Sequence, residues 1–270
     1  MKVSLKQIQC VYWSPTGGTR KILESIAENT GLNKKESVDL TRPVVRNQFE
    51  GVIEGDLLLV GTSVYAGSIP SMILEPLNKL KGEGKWAVPI AVYGVRSPEA
   101  CIEEMSGLLR TRGFKILAAA NFVAQHSYAH NEAPLGRGRP NEEDLEIAAD
   151  FGEKIVEKLN ADLVEIPIES KPLKNGENYM REEWPENRIK KMIKAPELDE
   201  EKCIKCNKCA ESCPMAATDP ETYSVDDVAC MRCMACIRVC PTNAKTITFP
   251  SGLTESMNKW EAKKSPEIFI

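Results

Sequence analysis

One motif constrains this chain more than any other. The pattern C-x2-C-x2-C-x3-C-P occurs twice, as Cys203, Cys206, Cys209, Cys213 and Pro214, and again as Cys230, Cys233, Cys236, Cys240 and Pro241. The two copies are offset by 27 residues, from Cys203 to Cys230. The chain has 270 residues and 10 cysteines, and eight of these fall between Cys203 and Cys240. A disulfide-stapled secreted chain spreads its cysteines and carries a signal peptide. This chain starts MKVSLKQIQC with no apolar core, and it has no run of ~18 apolar residues. The expectation is a cytoplasmic protein with reduced, metal-binding thiols and no membrane span.

Zinc sites favour two C-x2-C pairs closed by four ligands. They need neither the third cysteine step nor the trailing Cys-Pro of both copies. Three closely spaced thiolates instead wrap a cubane cluster, and the fourth cysteine reaches the other cluster. This predicts one [4Fe–4S] cluster on Cys203, Cys206, Cys209 and Cys240, and a second on Cys213, Cys230, Cys233 and Cys236. Residues 201–250 therefore resemble bacterial-type two-cluster ferredoxins at all eight ligand positions. They differ in charge, with six acids and six bases, and Lys202, Lys205, Lys208, Arg232 and Arg238 stand close to the cysteines. Cations there should raise the cluster potentials.

The first 165 residues read differently. Apolar runs at 8–13, 56–60, 86–93 and 114–120 look like strands buried on both faces, with a short extra strand at 37–40. Pro89 weakens the third run, because it removes a ladder donor. Helical patterns fill 19–28, with Thr19 as N-cap and Gly31 as stop, and the stretches near 70–80, 98–112 and 142–160. The alternation implies an open α/β sheet with helices on both faces. Cys10 and Cys101 read as small buried hydrophobes of this sheet.

The first strand leads into Ser14, Pro15, Thr16, Gly17, Gly18 and Thr19, and then a helix. Small residues, hydroxyls and a helix N-terminus suit an anion, although an ordinary βα turn has the same look. There is neither a G-x4-G-K-[ST] nor a G-x-G-x-x-G loop. Two further loops leave strand C-termini, where open α/β sheets place ligands. One runs through Ser63, Val64, Tyr65, Ala66 and Gly67, and the other through Tyr93, Gly94 and Arg96.

With these loops the first domain resembles the flavodoxins, whose S/T-x-T-G-x-T loop is matched by Ser14, Thr16, Gly17 and Thr19. The resemblance implies a doubly wound parallel five-stranded sheet of order 2-1-3-4-5, with FMN phosphate on the first loop and the ring between the other two. By position Tyr65 is then the stacking aromatic, and Gly94 admits a backbone amide to the ring. Tyr65 also reads as a surface turn residue, and Tyr93 equally as core or cofactor contact. The whole arrangement resembles flavodoxin–ferredoxin fusion proteins of anaerobic bacteria and archaea. It divides into a flavodoxin-like domain at 1–165, a linker at 166–200 packing through Tyr179 and Trp184, a small α+β ferredoxin-like domain at 201–250 and a C-terminal extension at 251–270. The basic residues Arg188, Lys190, Lys191 and Lys194 read as a solvated helix face.

The function expected is electron transfer between two [4Fe–4S] clusters and FMN, and on to a redox protein such as a ferredoxin or reductase. The alternative is an FMN-dependent reductase of a small-molecule acceptor, an oxidoreductase in which His126 or Tyr128 supplies a proton. A structural role for His126 competes with that one. A net charge of −4 and a pI near 5.5 argue against nucleic acid. If the cofactors lay too far apart within one chain, transfer would have to cross a homodimer or follow a domain motion.

Overall fold

A computed structural model of the chain describes residues 5–161, 163–171, 188–260 and 264–270. Tyr179 and Trp184 of the expected linker lie outside the described residues. The α/β part contains β1 (Gln7–Trp13), α1 (Gly18–Glu28), β2 (Asn33–Lys34), β3 (Val38–Asp39), α2 (Pro43–Gln48) and β4 (Leu57–Ser63). It continues through a 3-10 turn (Ser71–Ile73), α3 (Leu74–Lys79), β5 (Trp86–Tyr93), α4 (Cys101–Thr111), β6 (Lys115–Ile116), β7 (Ala119–Val123) and α5 (Glu142–Asn160). After this come α6 (Arg188–Met192), β8 (Glu197–Leu198), α7 (Lys208–Glu211), α8 (Ala235–Arg238), β9 (Lys245–Thr246), α9 (Ser251–Met257) and β10 (Glu267–Phe269).

The strands of the main sheet run β10-β7-β5-β4-β1-β2, with β3 also on β1 and β6 also on β5. Taking β2 with β3 as the second strand, and β6 with β7 as the fifth, the order is 2-1-3-4-5. That is the doubly wound flavodoxin-like order. All pairings among these strands are parallel.

Side chains alternate between the two faces, as strand geometry requires. Ile8, Cys10 and Tyr12 of β1 join Leu57 and Leu59 of β4 and Val88 and Ile90 of β5. They pack under α1, through Ile22, Leu23, Ile26 and Ala27, and under α5, through Ala148, Phe151 and Ile155. Val11, Trp13, Leu58, Val60, Ala87 and Ala91 face the other way, onto Leu77 of α3 and Cys101, Met105 and Leu109 of α4. Cys10 and Cys101 are buried, one on each face.

The structure revises several local expectations. Thr19 does not cap α1. The cap is Gly17, in the left-handed region at φ 85°, while the Thr19 hydroxyl bonds that of Ser63 at 2.9 Å. Strand five is not one run over 114–120, because it breaks at Leu117–Ala118 and continues to Val123. Pro89 falls at this break. Trp86 and Ala87 pair with β6, and pairing resumes with β7 at Ile90, so the missing N–H sits where the neighbouring strand is interrupted. Helix α2, opened by Pro43 in its first turn, was not anticipated.

The C-terminal residues add a strand that the five-stranded reading lacks. β10 pairs antiparallel with β7, and Asn121 Nδ2 donates to Glu267 at 2.8 Å. The cysteine segment is thus tied to the sheet on both sides. Its second copy also enters the core directly, as Met231, Cys233 and Ala235 belong to the α3/α4-side apolar cluster. Lys190 is not merely solvated, since its ammonium donates to the Val228 carbonyl of that segment, and Ile193 nearby is buried. Among the described residues, no helix is long and apolar enough to cross a membrane.

Candidate functional site

At the C-terminal ends of β1, β4 and β5 the three loops converge on one cleft, about 810 Å³ counted to its open mouth. Thr16, Gly18, Thr19, Ser63, Val64, Tyr65, Ala66, Gly67, Tyr93, Gly94, Arg96, His126 and Tyr128 all line it. Ser14 and Gly17 do not, and they shape the first loop from behind. The Ser14 hydroxyl accepts from Arg20 N–H at 3.0 Å, its own N–H donates to Thr41 Oγ1 at 2.8 Å, and its carbonyl accepts from Gly17 N–H at 3.1 Å.

The cleft is lined by groups of two kinds. The N-terminus of α1, with no acidic residue in its first turn, presents Thr16 and Gly18 to one end. An adjoining cavity brings Lys21, Arg139 and Arg238 beside those same two residues. Val64, Tyr65 and Tyr93 supply apolar surface at the other end.

The second loop is braced from below. Buried Glu104 of α4 accepts from the Ser68 hydroxyl and, at 3.4 Å, from Ile69 N–H. Gly67 sits at φ 73°, and a Cβ there would lie 2.2 Å from the Glu99 carboxylate. A Cβ on Gly94 would lie 2.6 Å from His126 Cα. The smallness of Gly94 is therefore required by His126, and Gly94 also lines the cleft.

His126 lies in the loop that follows β7. Its Nδ1 accepts from Tyr128 N–H at 3.0 Å, and its ring packs on Tyr128 and Trp260 with centroids 5.3 and 5.2 Å apart. Burial pushes the imidazole down to about 4, with Arg96 and Arg238 acting in the same direction. His126 is thus neutral at pH 7, with its ring hydrogen on Nε2. Gln125 and Arg139 connect the two outer loops through Gln125 N–H to the Arg139 carbonyl at 3.0 Å. Arg139 in turn is held by buried Asp144, which also belongs to the capping box of α5.

The thiols form two groups. Cys203, Cys206, Cys209 and Cys240 line one cavity, with Tyr223 and Lys245. Cys213, Cys230, Cys233 and Cys236 stand close together. Burial pushes up the thiols of Cys230, Cys233 and Cys236, and the charge of Cys213 adds to each. Among the described residues no three metal-binding side chains converge on a point that would hold a single ion.

The loops around both groups have the same backbone. Lys205 and Arg232, Asn207 and Met234, and Ala216 and Asn243 are all left-handed, with φ between 51° and 65°. Each pair is 27 residues apart. Left-handed non-glycine residues are costly, and they turn peptide N–H groups toward an anion. Ala217 N–H donates to Cys213 Sγ at 3.2 Å, and its repeat mate Ala244 N–H donates to Cys240 Sγ at the same distance. Arg232 is fully buried and holds its loop by donating to the carbonyls of Ile193, Asp227 and Cys230.

Cleft and thiols adjoin. Tyr65 and Val64 pack against the apolar cluster that contains Met231, Cys233 and Ala235. Burial holds the Tyr65 phenol well above its usual range, and Cys233 is the first of the nearby charges that add to this. Arg238 of α8 donates to the carbonyls of His126 and Ser127, each at 3.3 Å, and of Ala129 at 3.2 Å. Of the cations noted near the cysteines in sequence, Arg232 and Arg238 therefore have structural roles. Lys245, which carried no signal beyond its charge, is buried and lines the cavity of the Cys203 group.

Residues 195–241 match the protein family described as the 4Fe-4S dicluster domain. The match begins at residue 195, ahead of the expected boundary at 201, and takes in β8, which pairs with β9 beyond the last cysteine. No curated protein sequence matches the chain. Among solved structures, a flavodoxin from the domain Archaea is similar at 16% identity and TM-score 0.40, covering 57% of this chain and 99% of that one. A flavodoxin of Streptococcus pneumonia TIGR4 is similar at 21% identity and TM-score 0.40, covering 56% and 99%. The flavodiiron core from Synechocystis sp. PCC6803 is similar at 13% identity and TM-score 0.44, covering 58% of this chain and 37% of that one. Residues 195–241 are thus similar to a 4Fe-4S dicluster domain, and they pack on an α/β sheet of flavodoxin-like strand order.

Proposed function

We propose that the chain is an electron-transfer protein holding FMN in the cleft at the ends of β1, β4 and β5 and two [4Fe–4S] clusters in the cysteine repeat. Cys203, Cys206, Cys209 and Cys240 hold one cluster, and Cys213, Cys230, Cys233 and Cys236 hold the other. The supporting observation is that Cys233 and Tyr65 share one apolar cluster, which sets the second ligand group beside the flavin cleft. When bound, the clusters exchange single electrons and the flavin exchanges one or two.

The chain's own residues fix the distances and exclude water. Thr16 and Gly18 receive the phosphate at the α1 N-terminus, backed by Ser14 and Gly17. Tyr65 and Tyr93 flank the ring end of the cleft. Arg238 fastens the repeat to the 126–129 loop, so the two cofactor sites are held in one geometry. Cys206 is exposed and the Cys230 group is mostly buried. The Cys203 group therefore faces the external redox protein, a ferredoxin or reductase, and the Cys230 group faces inward. Joining donor and acceptor sites in one chain raises their effective concentration.

Anaerobic reconstitution tests this reading. The expected product holds one FMN and about eight iron atoms per chain. Protein with no FMN and about four iron atoms or fewer overturns it.

A second reading is a reductase of a small-molecule acceptor. The observation favouring it is that His126 and Tyr128 both line the cleft, with the neutral His126 keeping a hydrogen on Nε2. Its test is His126→Gln, which should lower turnover of such an acceptor while FMN stays bound.

A further inference from the structure

The two Cys-Pro corners of the repeat are alike in themselves and unlike in their surroundings. Cys213 Sγ and Cys240 Sγ each accept from an alanine N–H four residues on, at 3.2 Å. Yet Pro214 is buried, while its repeat mate Pro241 is exposed. Met215 packs against the apolar cluster of the α/β sheet, whereas its mate Thr242 lines the cavity of the Cys203 group.

The Pro214 carbonyl is taken by Arg46 of α2, whose Nη2 donates to it at 2.9 Å. Nη1 of the same guanidinium donates to the carbonyls of Leu40 at 2.9 Å and Thr41 at 3.2 Å. The group lies over the ring of fully buried Trp13, 5.3 Å from its centroid. No carboxylate among the described residues forms an ion pair with Arg46. Its donors thus join carbonyls of two chain segments that are distant in sequence. A planar guanidinium bridges them as a rigid fork, a geometry that an ammonium on a flexible stem does not hold.

Each end of the fork leads to a cofactor site. Thr41 Oγ1 accepts from the N–H of Ser14, which opens the phosphate loop, at 2.8 Å. Pro214 directly follows Cys213, which belongs to the inner group with Cys230, Cys233 and Cys236. We propose that Arg46 is a positioning residue that fixes the flavin phosphate loop and the Cys213 corner of the inner cluster against each other. This rests on the cofactor assignment above. The outer cluster, with its exposed Pro241 corner, has no such clasp and serves as the control within the same molecule.

The test uses the reconstituted full chain and compares wild type with Arg46→Met and Arg46→Lys. Iron is withdrawn with a ferrous chelator, and the freed thiols are alkylated and identified by mass spectrometry. FMN affinity is read by flavin fluorescence on the same proteins. Wild type holding FMN and about eight iron atoms establishes the assignment first, so its failure is seen before any variant is compared. In Arg46→Met, Cys213 should be alkylated about tenfold faster and FMN should bind about tenfold more weakly, with Cys240 at its wild-type rate. Arg46→Lys keeps the charge and loses the fork, so it should not restore both effects. Unchanged Cys213 and FMN in Arg46→Met overturn the proposal, as does an effect on one of the two alone. Equal acceleration of Cys213 and Cys240, or recovery of both effects by Lys, also overturns it. Should Arg46→Met fail to load, Arg46→Gln is reconstituted instead. About four iron atoms with Cys240 protected and Cys213 reactive supports the proposal, and loss of both groups overturns it. Where Arg46→Gln loads both groups, it takes the place of Arg46→Met in the same comparison.

Discussion

Cys233 and Tyr65 share one apolar cluster, although 168 residues separate them in the chain. Tyr65 belongs to the loop after β4 and Cys233 to the second cysteine copy, so this cluster is where the two halves of the molecule meet. Tyr65 faces the cleft and is buried on the side of Cys233. Replacing Tyr65 with Leu keeps an apolar filler and removes the aromatic face. FMN affinity of the apoprotein, measured by quenching of flavin fluorescence, should fall about tenfold, or ~1.4 kcal/mol, with iron content unchanged. Tyr65→Phe should bind like wild type. Equal affinity of the Leu variant would show that Tyr65 does not contact the ring.

The grouping of the thiols makes a prediction that local pairing would not. Cys213 follows the first three cysteines in sequence but stands with Cys230, Cys233 and Cys236 in space. Cys213→Ser and Cys240→Ser should each lose about half the iron, from opposite groups. Cys206 is exposed, so alkylation read by mass spectrometry reports its cluster directly. Cys206 should stay protected in Cys213→Ser and become reactive in Cys240→Ser. The reverse pattern would mean that each copy closes on its own fourth cysteine.

His126 links stability to pH. Burial first, then Arg96 and Arg238, push its pKa from 6.5 to about 4. Between these values the unfolded chain binds a proton that the folded chain does not, so stability rises with pH across this window. The contribution is complete above pH 6.5 and is lost as pH falls toward about 4, to a total of about 3 kcal/mol. Urea unfolding of wild type and His126→Gln should therefore give stabilities whose difference changes between pH 6.5 and 4 and is constant above pH 7. Parallel pH profiles would place His126 in water.

The central strands were legible because β1, β4 and β5 are apolar on both faces, while their order came only from the resemblance. The loop residues were legible because they follow strand C-termini, and all but Ser14 and Gly17 line the cleft. Local detail was not. Thr19 looks like a cap, yet Gly17 at positive φ takes that place and frees the Thr19 hydroxyl for Ser63. Gly94 lines the cleft as its loop position suggests, but the close approach of His126, 32 residues away in sequence, carries no sequence signal. β10 carries no signal of its own, because three residues become a strand only when β7 offers them an edge. Lys245 reads as one charge among six bases, and its burial in the cavity of the Cys203 group is visible only in the fold.

The central claim is that one chain brings an iron–sulfur group and a flavin within electron-transfer reach. It is tested by reducing the reconstituted protein at its clusters and following flavin absorbance by stopped flow as the protein is diluted about tenfold. The account predicts a rate constant that stays the same on dilution, because donor and acceptor are held together by the packing of Cys233 and Tyr65 in one apolar cluster. A rate constant that falls in proportion to concentration would contradict it, and would move the transfer to encounters between separate molecules.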